Sequence, residues 1–211
     1  MIRPYLERLP LVAILRGVTP EEIVPIAQTL VAAGFAIIEV PLNSPRPLES
    51  IRRLREVVGD EVLVGAGTVM SSRQVREVAD SGGRLVVMPH SDPVVVHAAK
   101  DAGLICTPGV ATPNEGFAAL ANGADALKLF PAELLPPPAL RAMRSVFPAS
   151  TVFLPVGGIT PASMAAYVAA GATGFGLGSS LYKRGAGVDE VGASARAFVA
   201  EWRRIRPGPN A

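Results

Sequence analysis

The chain has 211 residues, with 20 lysines and arginines against 18 aspartates and glutamates and a formal net charge of +2 at neutral pH. This length suits one domain of ordinary size, and the basic residues are scattered along the chain, which argues against nucleic-acid binding. The single cysteine, Cys106, excludes a disulfide within the chain and a metal site built from several cysteines.

The N-terminal sequence MIRPYLERLPLVAIL lacks the long apolar run and the small-residue cleavage site of a signal peptide. No segment reaches the roughly 18 consecutive apolar residues that a membrane span requires. We therefore expect a cytoplasmic protein that does not insert into a membrane.

Short apolar runs recur along the chain, and each is followed by a turn and then by a segment with helical periodicity. In chain order the runs are LVAIL (11–15), FAIIEV (35–40), VLVGA (62–66), RLVVM (84–88), LICT (104–107), ALKLF (126–130), TVFLP (151–155) and TGFGLG (173–178). Glycines close several of the helical segments, as in AAGF at 32–35 and DAGL at 101–104, which is typical of a helix C-terminus.

Apolar strands that alternate with helices indicate a parallel sheet that is covered on both faces. Eight such units predict an α/β fold of the (β/α)8 type, the TIM barrel. We predict a single domain over 1–211, in which the polar segment RPGPNA at 206–211 is a frayed tail. The alternative is an open, doubly wound sheet.

Lys128 interrupts the apolar run ALKLF near the carboxyl end of a predicted strand, where catalytic groups of such barrels lie. A charged amine is costly to bury unless it is paired or loses its proton. A buried lysine with a lowered pKa can attack a carbonyl and form an iminium, which an arginine cannot do. The structural alternative is a lysine whose stem packs between strands while its ammonium reaches solvent.

Glu39 is a second charged residue within an apolar strand, in the segment AIIEV. A carboxylate close to Lys128 could transfer protons to and from a substrate, and partial burial would raise its pKa towards neutrality. Glu39 could equally form a structural ion pair with Arg16 or Lys128. The combination of Glu39 and Lys128 favours catalysis.

Two glycine-rich turns, VGGIT and GLGSS, follow the last two predicted strands. Exposed backbone N–H groups in these loops would form the phosphate site common in such barrels, although a tight turn alone also needs glycine. Of the two histidines, His97 is expected on a helix surface, and a substrate contact by His90 is left open. Their spacing argues against a catalytic zinc site.

Six segments together resemble the 2-keto-3-deoxy-6-phosphogluconate and 6-phosphogalactonate aldolases, which are class I, Schiff-base aldolases with the TIM-barrel fold. The segments are VAILRG, IIEVPLNSP, VGAGTV, LKLFPAE, PVGGITP and GLGSSLY, and the resemblance covers nearly the whole chain. It implies that Lys128 forms the Schiff base and that Glu39 is the general acid and base. It also implies that the substrate is bound by Arg16, Thr68, Pro89, Phe130, Val156, Gly157, Gly158, Gly178 and Ser179.

The resemblance further implies the reaction and the assembly. A phosphorylated 2-keto-3-deoxy sugar acid would be cleaved to pyruvate and D-glyceraldehyde 3-phosphate, with no metal and no other cofactor. The family is typically trimeric, so a homotrimer is expected. A non-catalytic barrel that only binds a phosphosugar would have no need for a buried amine, and a metal-dependent class II aldolase would need a cluster of metal ligands on this rim.

Within the family the sequence is closer to the galactonate branch. Gluconate enzymes usually carry an arginine in a pattern like EVTLRT, where this chain has Asn43 and Ser44. They also tend to have threonine before the paired glycines, where this chain has Val156. One departure from the galactonate pattern GSDLY is Ser180 in place of aspartate. Cleavage of the galactonate epimer is therefore expected, and the gluconate epimer or both are the alternatives.

Overall fold

The computed structural model of the chain describes residues 1–206, in which parallel strands alternate with helices. The strands are β1 (Leu11–Ile14), β2 (Ile37–Pro41), β3 (Leu63–Gly67), β4 (Leu85–Val87), β5 (Ile105–Thr107), β6 (Gly109–Val110), β7 (Leu127–Leu129), β8 (Phe153–Pro155) and β9 (Phe175–Leu177). The α-helices are α1 (Arg3–Arg8), α2 (Ile23–Ala32), α3 (Pro47–Val57), α4 (Ser72–Asp80), α5 (Pro93–Asp101), α6 (Pro113–Ala121), α7 (Pro137–Arg144), α8 (Pro161–Ala169) and α9 (Val188–Ile205). A short 3₁₀ helix, Ala132–Leu134, follows β7.

Hydrogen bonds divide the strands between two parallel sheets. One has six strands in the order β5-β4-β3-β2-β1-β9, and the other has three in the order β6-β7-β8. A parallel bridge between Val156 and Gly176 connects the end of β8 to β9. The α/β class with parallel strands is confirmed, whereas the strand ladders form two curled sheets in place of one continuous ring of eight.

The additional strand follows the fifth predicted strand. The predicted strand ends at Thr107, and the chain continues through Pro108, which has no N–H group to donate to a neighbouring strand, into a further short strand that was not predicted. The segment before Pro108 is β5 and pairs with β4, while the segment after it is β6 and pairs with β7.

Side-chain caps fix where several helices begin after their strand-to-helix loops. In α6 the Thr112 hydroxyl accepts a hydrogen bond from the Glu115 N–H group, and the Glu115 carboxylate accepts one of 2.8 Å from the Thr112 N–H group. The Asp92 carboxylate caps α5 by accepting a hydrogen bond from Val94. Proline follows the capping residue in both helices, where its missing N–H group leaves no intrahelical bond unmade.

The buried side chains form two clusters. The larger lies between the strands and the surrounding helices. The smaller is enclosed by the strands and consists of Ile2, Leu6, Val12, Ile37, Leu63, Leu85, Val87, Ile105, Ala126, Val152 and Leu154. We call it the inner cluster.

Helix α1 covers the amino-terminal ends of the strands and was not predicted from the sequence. Leu6 of α1 packs into the inner cluster, together with Ile2 just before the helix. Arg3 donates a hydrogen bond to the Ser150 carbonyl and Arg8 donates one to the Glu61 carbonyl, both in segments that precede strands. The inner cluster is thus closed at this end.

The alternation of side chains along each strand shows on which side of the sheet Glu39 and Lys128 lie. Side chains two residues apart in a strand point to the same side, so Glu39 points to the side of Ile37 and Lys128 to the side of Ala126. Because Ile37 and Ala126 belong to the inner cluster, both charged groups lie above it, towards the carboxyl ends of the strands.

No helix within residues 1–206 has the length and apolar character needed to cross a membrane. The predicted frayed tail at 206–211 lies, apart from Arg206, outside the described residues.

Candidate active site

A cavity of about 400 Å³ opens at the carboxyl ends of the strands. The predicted site residues in its wall are Arg16, Glu39, Lys128, Phe130, Val156, Gly157, Gly158, Gly178 and Ser179. The wall does not include Thr68, Pro89 or His90. Residues that are far apart in the sequence are therefore gathered around one space, as expected if they act together.

Lys128 is nearly inaccessible to solvent, with 5% of its surface exposed. Its ammonium lies 4.4 Å from the centre of the Phe130 ring, a cation–π contact, and forms no ion pair with any carboxylate of residues 1–206. Burial lowers the pKa of Lys128; attraction to Glu39 raises it, and repulsion from Arg16 lowers it further. The net lowering increases the fraction of neutral, nucleophilic amine at neutral pH.

Glu39 is 2% exposed, and its Oε2 atom is buried without a hydrogen-bond partner in the described part of the chain. Burial raises the pKa of Glu39, and attraction to Lys128 and Arg16 opposes this without reversing it. A carboxyl group whose pKa is shifted upwards can both give and take a proton near neutral pH. Glu39 and Lys128 thus have shifted pKa values of opposite direction at one cavity.

Gly67 makes room for the Glu39 carboxylate. A Cβ atom at Gly67 would overlap the Glu39 Oε1 atom. Sequence reasoning missed this role, although the segment VGAGTV was noted. The signal was a glycine at the carboxyl end of the strand next to the one that carries Glu39.

The loop after β2 holds the loop after β1. The Arg16 guanidinium donates a hydrogen bond of 2.8 Å to the Asn43 side-chain oxygen. The N–H group of Gly17 donates one of 2.9 Å to the buried Ser44 hydroxyl. Asn43 and Ser44, which distinguished the two family branches in the sequence, therefore orient Arg16 towards the cavity.

The loops after β8 and β9 present unused backbone donors to the cavity. Gly157 and Gly158 have φ values of 113° and 62°, which favour glycine. The N–H groups of Gly158, Ile159, Ser179 and Ser180 donate to no acceptor within residues 1–206. Such donors can bind an anion.

Three charged residues in the cavity wall were not predicted as site residues. Lys183, which sequence reasoning placed in a solvated loop, lines the cavity together with Arg184 and Glu133. The Glu133 carboxylate lies against Gly157 and Gly158. The available signal was position in the chain, since Lys183 and Arg184 directly follow GLGSSLY and Glu133 ends LKLFPAE.

A second cavity, of about 360 Å³, lies between α1 and α9 at the opposite ends of the strands and contains none of the predicted site residues. Within residues 1–206, no group of three or more His, Cys, Asp or Glu side chains is arranged to hold a metal ion.

Comparison with known proteins gives one consistent result. The family model described as KDPG and KHG aldolase matches residues 2–192. A probable 2-dehydro-3-deoxy-6-phosphogalactonate aldolase of Rhizobium meliloti (strain 1021) is 44% identical over 205 residues, which are 97% of this chain and 96% of the relative. The 2-dehydro-3-deoxy-6-phosphogalactonate aldolase of Escherichia coli (strain K12) is 41% identical over 196 residues, 93% of this chain and 96% of the relative. A solved structure described as native KDPGal has a TM-score of 0.92 at 41% identity and covers 94% of this chain and 96% of its own.

Proposed function

The chain belongs to the KDPG and KHG aldolase family, and we propose that it cleaves 2-dehydro-3-deoxy-6-phosphogalactonate to pyruvate and D-glyceraldehyde 3-phosphate as a class I aldolase. The observation that carries this proposal is Lys128, a buried amine with a lowered pKa at the same cavity as Glu39. The names of the two relatives support the galactonate epimer as the substrate.

Lys128 is the nucleophile in the proposed reaction. Its neutral amine attacks the C2 carbonyl of the sugar acid to give a carbinolamine, which loses water to form an iminium. The iminium accepts the electron pair of the C3–C4 bond when that bond breaks, and the result is an enamine of pyruvate. Arg16 lies at the same cavity and is the proposed partner of the substrate carboxylate, which a guanidinium binds through paired hydrogen bonds.

Glu39 moves the protons. It accepts the proton of the C4 hydroxyl as the C3–C4 bond breaks, and D-glyceraldehyde 3-phosphate leaves. The protonated carboxyl group then gives this proton to C3 of the enamine, and water hydrolyses the resulting iminium to pyruvate and the free Lys128 amine. The raised pKa of Glu39 suits both directions of transfer.

The remaining predicted contacts are part of the same proposal. Phe130 and Val156 line the same cavity as the loops after β8 and β9, whose glycines and Ser179 are the proposed phosphate ligands. Thr68 directly follows β3, which pairs with β2, and Pro89 lies just after β4, which pairs with β3. We propose that both residues contact the pyruvate end of the substrate after it has bound.

We propose that the strands form one closed (β/α)8 barrel in a single domain over 1–211, with β5 and β6 as two halves of the fifth strand. The inner cluster supports closure, because it draws side chains from strands of both sheets. The bridge from Val156 to Gly176 also supports closure, because it joins the three-stranded sheet to β9 of the six-stranded sheet. A cytoplasmic homotrimer is the proposed state of the enzyme, and sedimentation velocity of the purified protein tests the trimer.

Reductive trapping tests the mechanism and its residue together. Borohydride added with pyruvate is expected to inactivate the enzyme and to label Lys128, which peptide mass analysis identifies. Lys128→Arg should be inert and unlabelled, because a guanidinium forms no iminium at accessible pH. Lys183→Gln serves as the matched control and should be labelled at Lys128 like the wild type. A label on Lys100 or Lys183 in the wild type, or activity that chelators abolish, would contradict the proposal.

A further inference from the structure

The segment after β9 brings two cations to the cavity wall in addition to Arg16 and Lys128. Lys183 and Arg184 line the cavity beside Gly178, Ser179 and Ser180. The glycine turn and the cations are thus parts of one surface, which we call the β9 rim.

The two cations of the β9 rim have no acidic partner in the described structure. Neither Lys183 nor Arg184 takes part in a salt bridge within residues 1–206. The serine at position 180 also leaves the rim without a negative charge at the place where the related motif carries aspartate. The only carboxylates in the described cavity wall are Glu39 and Glu133, and Glu133 lies against the loop after β8.

Arg184 is held by the loop after β1. A Cβ atom at Gly17 would lie 3.3 Å from the Cβ atom of Arg184, so the arginine stem packs directly over this glycine. Gly17 has a φ of 87°, and its N–H group is bonded to Ser44. Contact with this loop restricts the base of the exposed Arg184 side chain, which lowers the entropy lost when its guanidinium binds a ligand.

A phosphate monoester carries a charge of about −1.5 to −2 at neutral pH and has three acceptor oxygens. Backbone N–H groups such as those of Ser179 and Ser180 supply geometry and partial charge. They do not neutralise the ester, whereas charge-assisted hydrogen bonds from lysine and arginine do.

We propose that Lys183 and Arg184 bind the phosphate of the substrate and make the enzyme selective for phosphorylated over unphosphorylated sugar acids. This inference rests on the proposed function. It adds side-chain cations of the β9 rim to the backbone N–H groups of the glycine loops as ligands of the phosphate.

The test compares 2-dehydro-3-deoxy-6-phosphogalactonate with the same sugar acid without phosphate. For the phosphorylated substrate we expect each of Lys183→Gln and Arg184→Gln to lower kcat/KM about 10-fold and the double variant about 100-fold. For the unphosphorylated substrate kcat/KM should change less than about twofold, because no phosphate contact is lost. Arg203→Gln, which removes an exposed arginine of α9 outside this cavity, is the matched control and should behave as wild type.

Equal losses on both substrates would overturn the inference, because they would show a general effect on the cavity. Unchanged kcat/KM for the phosphorylated substrate would overturn it as well. Titration calorimetry with glycerol 3-phosphate gives a readout without turnover, and its Kd should rise about 10-fold or more in the double variant. An unchanged Kd refutes the phosphate contact even if the enzyme prefers another sugar acid. Wild-type protein that traps pyruvate but cleaves neither sugar acid would refute the proposed function instead.

Discussion

Glu39 on β2 and Gly67 on β3 lie against each other, and the carboxylate of one occupies the space that a side chain on the other would fill. The carboxylate is buried, with Oε2 unpaired in the described residues. Its position is therefore set by packing more than by hydrogen bonds. A change at Gly67 should act on catalysis through Glu39.

Gly67→Ala is expected to displace the Glu39 carboxylate and to lower the rate of proton exchange at the methyl group of pyruvate by about 100-fold, as for loss of a positioned acid and base. Exchange of pyruvate protons with deuterium, followed by NMR, measures this rate. Borohydride trapping at Lys128 should persist, since the amine is untouched. Gly187→Ala is the control, because a Cβ atom there meets no other atom within 4 Å. Exchange at the wild-type rate in Gly67→Ala would show that the carboxylate tolerates the displacement.

Glu39→Gln should make the protein more stable while it removes activity. Burial raises the pKa of Glu39 above 4.5, so the folded state disfavours the ionised form. Below 4.5 the group is protonated in both folded and unfolded states and the penalty is absent; it grows as the pH rises through the folded pKa. The variant's gain in thermal midpoint should therefore increase as the pH rises above 4.5 and level off above the folded pKa, at about 2–4 °C per kcal/mol for a chain of this size. A gain that is independent of pH would exclude ionisation of Glu39 as its cause.

Asn43→Leu tests whether the hydrogen bond to Arg16 orients the guanidinium. Leucine is similar in size and cannot accept this bond, so we expect the KM for pyruvate in the exchange reaction to rise about 5- to 10-fold with little change in kcat. Arg16→Leu should raise KM further. If Asn43 acts through Arg16, the double variant should resemble Arg16→Leu alone. Additive effects would mean that Asn43 contacts pyruvate independently.

Val156 is expected to control which epimer is preferred. Its side chain is buried at the cavity wall and contacts Gly176, so a substitution of equal size is accommodated there. The two substrates differ in configuration at C4, and a threonine hydroxyl could donate a hydrogen bond to one orientation where valine cannot. Wild type should cleave the galactonate epimer with the higher kcat/KM, and Val156→Thr should shift the ratio towards gluconate by about 5- to 30-fold. A ratio that does not respond would show that Asn43, His90 or the loop around Ser180 governs the preference between the epimers.

Lys128 and Glu39 could be recognised from the sequence because each places a charge inside an apolar strand, a pattern with few explanations. The parallel α/β arrangement could be predicted because apolar strands that alternate with helices must be covered on both faces of the sheet. The pattern did not predict β6 after Pro108, because the pairing of Gly109 and Val110 with β7 depends on how distant parts of the chain pack together.

Contacts between loops could not be predicted in the same way. Lys183 and Arg184 belong to the cavity only because the chain after β9 returns over the loop after β1, and no local pattern encodes that path. Helix α1 has six residues, too few for a periodic signal, and is stabilised by packing of Leu6 into the inner cluster. Gly67 carries no chemical group, so its role appears only when the neighbouring carboxylate is in place.

The inner cluster makes the cavity a pocket with one open end. Side chains such as Ala126 and Ile37 fill the space beneath Lys128 and Glu39, and α1 seals the far end of the described strands. A substrate joined to Lys128 through C2 must then hold its pyruvate half at the bottom and its phosphorylated half towards the mouth. Cleavage therefore imposes an order on the kinetics: glyceraldehyde phosphate departs first, and pyruvate, still covalently bound below it, departs last. Pyruvate should accordingly compete with the sugar acid for free enzyme, whereas the aldehyde product should not.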